Sequence, residues 1–351
     1  MQLARLSDLK LAMGTSIFIA AFIFGVFIFA ILFLLQLDLT SGLIFALIAT
    51  GAFILFQYLV GPTIVSATTH LHYLKPGENP WLESTVKELA DKSGLPMPKV
   101  AIVPNNTPNA FTYGRTANSA TLAVHEGLLK SLSEDEIKGV IAHELGHIKH
   151  KDYIVITVLA ALPMIAYIVA QVAFRAGMFS GYSRRGKDQG NSGAILIVVG
   201  VISFAIYIVS FLSVMRLSRL REHYADSYSA YVTGSPRSLE SALAKITYGL
   251  SIAPNVTAAA RSFYIEDPAL AKQEVQMIME KKDEYDLDKD GALDQRELEL
   301  AMEKEAKSTW NQLNSLFATH PPTFKRILLL REIENEMNTG MYTSDRVYAH
   351  I

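Results

Sequence analysis

The chain has 351 residues, with 32 Lys and Arg against 34 Asp and Glu, and a formal net charge of −2. This balance leaves no basic footprint for nucleic acid, and the length allows two or three domains. Cysteine is absent, which excludes disulfides, thiolate metal ligands and cysteine nucleophiles.

Half of the residues are hydrophobic. They gather in four runs free of Lys, Arg, Asp and Glu: residues 11–35, 43–60, 153–174 and 194–214. Each run approaches or exceeds the length of a helix crossing a hydrocarbon core, about 20 residues. The first is too long for a signal-peptide core and a second follows almost at once, so it reads as a retained anchor. The runs pair into two hairpins, which leaves residues 1–10, 61–152 and 215–351 on one side of the membrane. That side carries more Lys and Arg near the spans than the 175–193 loop does, which places it in the cytoplasm.

Between the hairpins, residues 81–93 have helical spacing, with Leu82, Val86, Leu89 and Ala90 on one face. Residues 99–103, 110–113 and 120–124 read as short strands punctuated by Pro104, Pro108 and Gly114. His125 and Glu126 close the last of these at the surface. Ser133 and Glu136 then form a capping box, opening a helix expected to end near Lys151.

That helix carries His143-Glu144-Leu145-Gly146-His147. Two histidines at i and i+4 share a helix face and can hold one zinc, and the adjacent Glu144 can take a proton from water. His150, flanked by two lysines, is not counted among the ligands. A catalytic zinc needs a third protein ligand. The best candidate follows the fourth run, in Arg221-Glu222-His223-Tyr224-Ala225-Asp226. Glu222 and Asp226 share a face, so one can ligate while the other accepts a hydrogen bond from a ligand imidazole. An even number of crossings separates His147 from Glu222, so both lie on the same side. His223 is a rival, turned about 100° away around the helix.

HELGH, a membrane hairpin and then Arg-Glu-x-x-Ala-Asp resemble the HtpX-type membrane zinc metalloproteases, relatives of the CAAX prenyl proteases. Asn109-Ala110-Phe111, Gly127-Leu128-Leu129 and Thr319-His320-Pro321-Pro322 with Arg326 and Ile327 match further family motifs. The resemblance implies a mainly α, four-helix transmembrane protein whose zincin-like domain carries a small β-sheet. It implies zinc on His143, His147 and Glu222, with Glu144 as general base and Asp226 supporting a ligand histidine. It brings His320 to the site, either as an oxyanion donor or as a closing ligand, and Arg326 near a carboxylate or substrate. Substrate is expected to add as a strand along residues 110–113 or 120–124, with Asn109, Ala110 and Phe111 at the contact. The implied substrates are misfolded or surplus membrane proteins, as in quality control and stress responses. A CAAX-type processing protease and a calcium-sensing scaffold with an inert zinc site are the alternatives.

One motif lies outside this pattern. Residues 286–297, DLDKDGALDQRE, fit an EF-hand calcium loop at every ligand position. Its oxygens would come from Asp286, Asp288, Asp290, the Ala292 carbonyl, Asp294 and Glu297, with Gly291 at the sharp turn. The expected organisation is therefore a transmembrane hairpin (1–60), protease (61–152), a second hairpin (153–214), protease (215–266), the EF-hand-like insert (267–309) and protease (310–351). Zinc, calcium, peptide or membrane-protein substrates and membrane lipid are the expected partners.

Overall fold

The computed structural model describes residues 38–180, 192–253, 264–289, 318–343 and 346–348. Isolated positions between 11 and 28 and between 297 and 305 are described as well. The chain divides into two compact units, Pro62–Tyr153 with Ser218–Ile351, and Lys10–Gly61 with Ile154–Leu217. The elements in order are α1 (Leu39–Thr69), β1 (His72–Tyr73), α2 (Pro80–Ser93), β2 (Lys99–Val103), β3 (Ala110–Tyr113), β4 (Thr121–His125), α3 (Glu126–Ser131), α4 (Glu134–His150), α5 (Asp152–Ser180) and α6 (Ser192–Thr233). They are followed by α7 (Pro236–Ser251), α8 (Pro268–Glu280), α9 (Lys282–Tyr285) and α10 (Thr323–Asn338). The fold is mainly helical with one small mixed sheet.

Among the described residues, three helices are long and apolar enough to cross a membrane, over Thr50–Thr69, Ala161–Phe179 and Gly193–Thr233. The run at 11–35 lies outside the described residues, apart from isolated positions. In the apolar unit, α5 and α6 pack closely: a Cβ on Gly200 would stand 2.8 Å from the Phe174 ring. Val172 and Val201 are 61% and 55% exposed, an apolar surface that suits lipid and not water.

In the other unit the strand order is β1-β2-β4-β3. β1 runs antiparallel to β2, β2 parallel to β4 and β4 antiparallel to β3. Alternation along the strands separates two faces. Val100, Ala110, Leu122 and Val124 join the main core with Val86 of α2, Ile141 and Leu145 of α4, and Leu243 and Ile246 of α7. Val103, Phe111 and Ala123 pack on Val65, near the end of α1. Each large side chain fully buried here contributes about 1.5–3 kcal/mol.

Two expectations change. β4 is hydrogen-bonded on both sides, so it offers no edge to a substrate; β3 is the edge strand. His125 is not at the surface but 4% exposed. Its Nδ1 lies 3.0 Å from the Thr107 carbonyl, and burial lowers its pKa to about 4, against the opposing pull of that hydrogen bond. The strand does not end in solvent because α3 begins at the next residue and folds back: a Cβ on Gly127 would fall 2.0 Å from the Asn106 carbonyl oxygen.

Candidate metal centre

α4 begins at the expected capping box, where Ser133 and Glu136 exchange hydrogen bonds. Glu136 also accepts from Ser241 at 2.6 Å and from Lys245 at 2.8 Å, which pins the helix start to α7. Lys151 ends it in the left-handed region at φ 59°. Gly146, inside the motif, lets α6 approach: a Cβ there would stand 3.1 Å from the Ala225 Cα. Ala225 lies between Glu222 and Asp226, so this contact lays both carboxylates beside the two histidines.

The Nε2 atoms of His143 and His147 are 3.1 Å apart. Glu222 completes a triangle, with Oε2 3.4 Å from His143 Nε2 and Oε1 3.5 Å from His147 Nε2. Donors around a tetrahedral zinc with bonds of about 2.0–2.1 Å stand about 3.3 Å apart, so these three fit the ion. Both Nδ1 atoms face carboxylates, His143 on Asp226 at 3.0 Å and His147 on Asp152 at 2.6 Å. That arrangement turns each Nε2 lone pair inward, as metal-binding histidines require.

Charge points the same way. Glu144, Asp152, Glu222, Asp226 and Glu266 are buried carboxyl side chains, against the buried guanidinium groups of Arg221 and Arg326. Burial alone would lower the His143 pKa, but Asp226 and Glu222 lift it to about 9. A field that draws a proton onto this ring also suits a divalent cation. Burial holds His147 neutral, its pKa well below the usual histidine range.

Glu144 is 3% exposed. Its carboxylate lies within 4.8 Å of the two imidazole donors, and Oε2 accepts from Thr112 on β3 at 3.1 Å. Burial pushes its pKa up to about 7, against the opposing pull of His143. His320 Nε2 stands 3.7 Å from Glu222 Oε1, and its Nδ1 is 2.8 Å from Thr319 Oγ1.

Arg326 on α10 has no solvent exposure. It grips Asp226 with two bonds, Nε to Oδ2 at 2.9 Å and Nη2 to Oδ1 at 2.7 Å. Nη1 donates to Glu266 and to the Ile265 carbonyl, each at 2.7 Å.

The structure thus gathers His143, Glu144, His147, Glu222, Asp226, His320 and Arg326 in one place. Asn109, Ala110 and Phe111 are adjacent on the β3 side, but their side chains are buried. Asn109 Oδ1 accepts from the Ile265 backbone at 2.9 Å. What this segment can offer a substrate is the backbone of an outer strand, β3. Asp152, Thr112 and Glu266 escaped the sequence reading, and Arg221 entered it only as part of the motif around Glu222. Asp152 alone left a trace, a single acid just past the lysines that end α4. Of the EF-hand residues, Asp286, Asp288 and Glu297 bring carboxylates within 4.8 Å of one another. Asp290, Ala292 and Asp294 lie outside the described residues.

A His-Glu-x-x-His helix with a carboxylate delivered by a second helix is the donor arrangement of a metallopeptidase. The chain belongs to peptidase family M48, whose profile matches residues 76–334. It is similar to proteins named "Protease HtpX homolog" in three archaea. The Aeropyrum pernix protein is 35% identical over 292 residues, 82% of this chain and 85% of that one. The Methanothermobacter thermautotrophicus protein is 37% identical over 71% and 91% of the two chains. The Thermococcus sibiricus protein is 33% identical over 85% and 88%. A crystal structure of S. mikatae Ste24p covers 92% of this chain and 65% of its own, at 16% identity and a TM-score of 0.45. The protein is therefore a membrane metalloprotease acting on peptide or protein substrates.

If the buried carboxylates orient the ligand rings, Asp152→Ala lowers zinc affinity about 10–100-fold. Competition with a chelator of known affinity measures this, and unchanged affinity would show that His147 keeps its orientation without Asp152.

Proposed function

We propose that the protein is an integral-membrane zinc endopeptidase of the HExxH-plus-Glu type. The donor triangle of His143, His147 and Glu222 carries this reading. These three residues would hold zinc, which supplies Lewis acidity toward water and the scissile carbonyl. Asp226 and Asp152 fix the imidazole tautomers by accepting their Nδ1–H protons. Glu144, held by Thr112 through Oε2, takes a proton from the attacking water and later gives it to the departing amine. His320, with Nδ1 satisfied by Thr319, directs Nε2 toward the site and stabilises the oxygen that gains charge. The peptide would lie as an added strand beside β3, the outer strand of the described sheet.

The uncharged runs support four spans, with the protease segments 61–152, 215–266 and 310–351 on the cytoplasmic side. Kinship with HtpX-type proteases supports substrates that are misfolded or surplus membrane proteins.

We further propose that residues 286–297 bind calcium. The carboxylates of Asp286, Asp288 and Glu297 converge, and Glu297 Oε1 accepts from the Leu287 and Asp288 backbone at 2.5 and 3.2 Å. EF-hand loops bind with dissociation constants of about 10⁻⁹–10⁻³ M.

Casein cleavage by the detergent-solubilised, zinc-loaded protein tests the activity. Glu144→Gln should keep its zinc and lose about 10²–10⁴-fold in rate. Cleavage confined to a prenylated peptide would favour a processing protease, and zinc binding without any cleavage an inert scaffold. Calcium titration by calorimetry tests the loop: one site in the parent and none in Glu297→Gln. Identical heats in the two would remove the calcium site.

A further inference from the structure

The sheet face turned away from the metal carries a second polar site. Tyr73 on β1 and Tyr113 on β3 belong to the two outer strands, yet their hydroxyl oxygens meet at 3.0 Å. The two side chains span β2 and β4, where Lys99 pairs in register with Thr121. A cavity of about 270 Å³ opens here, lined by Lys99, Arg115, Tyr73, Tyr113, Ser66 and Thr121 among others. Its lining contains two cationic side chains and six hydroxyls but no carboxylate. Lys99 makes no ion pair among the described residues; its ammonium stands 6.0 Å from the Tyr73 ring centroid. A concave surface that offers cations and hydroxyl donors, with no carboxylate among its described lining residues, suits a phosphate group.

The two tyrosines are not equivalent. Burial and the Tyr73 contact push the Tyr113 pKa up to about 12, while the hydrogen bond with Tyr113 lowers that of Tyr73. Either hydroxyl can donate within the pair.

Position along the chain names the source of the phosphate. Pro62, Thr63 and Ser66 line the cavity and belong to the last turns of α1. Ser66 lies in the last turn of the apolar stretch Thr50–Thr69 of α1. Lys99 and Arg115 are too costly to place in hydrocarbon, so a cavity they share with the last turns of a membrane-crossing helix would open at the headgroup layer.

We propose that the cavity binds the phosphate of an anionic membrane phospholipid, held by Lys99 and Arg115, with the Tyr73 hydroxyl donating to a phosphate oxygen. Thr112, next to Tyr113 on β3, faces the opposite side and holds Glu144, so the headgroup would tie the strand that holds Glu144 to the bilayer surface.

Native mass spectrometry of the full-length protein in detergent tests this, with phosphatidylglycerol, phosphatidylcholine and inorganic phosphate as probes. The parent should hold one phosphatidylglycerol about 30-fold more tightly than Lys99→Gln/Arg115→Gln does, as expected for two cations near a membrane surface. Tyr73→Phe should fall between them. Zinc content should match the parent in all variants, since the metal residues lie on the other face. Equal retention by parent and double variant would overturn the proposal. So would equal affinity for phosphatidylcholine, or displacement of the lipid by an equal concentration of inorganic phosphate.

Discussion

A fully buried guanidinium joins three distant parts of the chain. Arg326 on α10 binds Asp226 on α6 through two hydrogen bonds, and Asp226 faces His143 Nδ1 on α4. The same guanidinium holds Glu266, just before α8. Burial alone would raise the Asp226 pKa, but Arg326 and His143 outweigh it and keep the carboxylate ionised. Removing one partner from a buried pair typically costs about 3–5 kcal/mol, because the other charge is left without compensation. Here that cost would fall on the orientation of a metal ligand. The protease unit is thus organised around its charges as much as around its apolar core.

The arrangement separates two tasks. Nδ1 of each ligand imidazole is satisfied by a carboxylate fixed by an arginine, Asp226 by Arg326 and Asp152 by Arg221 at 2.8 Å. The Nε2 atoms are left to face Glu222. Such an arrangement is costly without a cation, since three electron-rich donors then converge in a buried space. With one, the supporting carboxylates strengthen the imidazoles as ligands. Glu144 stands outside this ladder. Thr112 on β3 donates to it, so in the proposed mechanism the strand beside which a peptide would lie also positions the general base.

What was legible in the sequence was mostly local. The His-Glu-x-x-His face follows from helix geometry, and the capping box placed the start of α4 correctly. The uncharged runs located the apolar parts of three described helices. The residues alone left Glu222 and Asp226 open as the third ligand, and only the family resemblance singled out Glu222. Asp152 was hidden because its role depends on one residue, Lys151, turning the chain in the left-handed region so that the next side chain meets His147. Thr112 and Glu266 act across long stretches of sequence, where no spacing rule applies. The interior place of β4 comes from its parallel pairing with β2, which hydrophobic alternation cannot reveal. His125 looked exposed because its cover comes from residues distant in sequence, the Tyr264 and Phe111 rings and the Thr107 loop.

In the proposed site His143, His147 and Glu222 hold one zinc ion, with the carboxylate as a true ligand. Zinc K-edge X-ray absorption on the purified full-length protein, beside its Glu222→Ala variant, tests it most directly. The account predicts two imidazole nitrogens and a carboxylate oxygen at about 2.0–2.2 Å in the parent. It predicts loss of that oxygen and weaker zinc retention in the variant. Identical coordination and retention in both would contradict it.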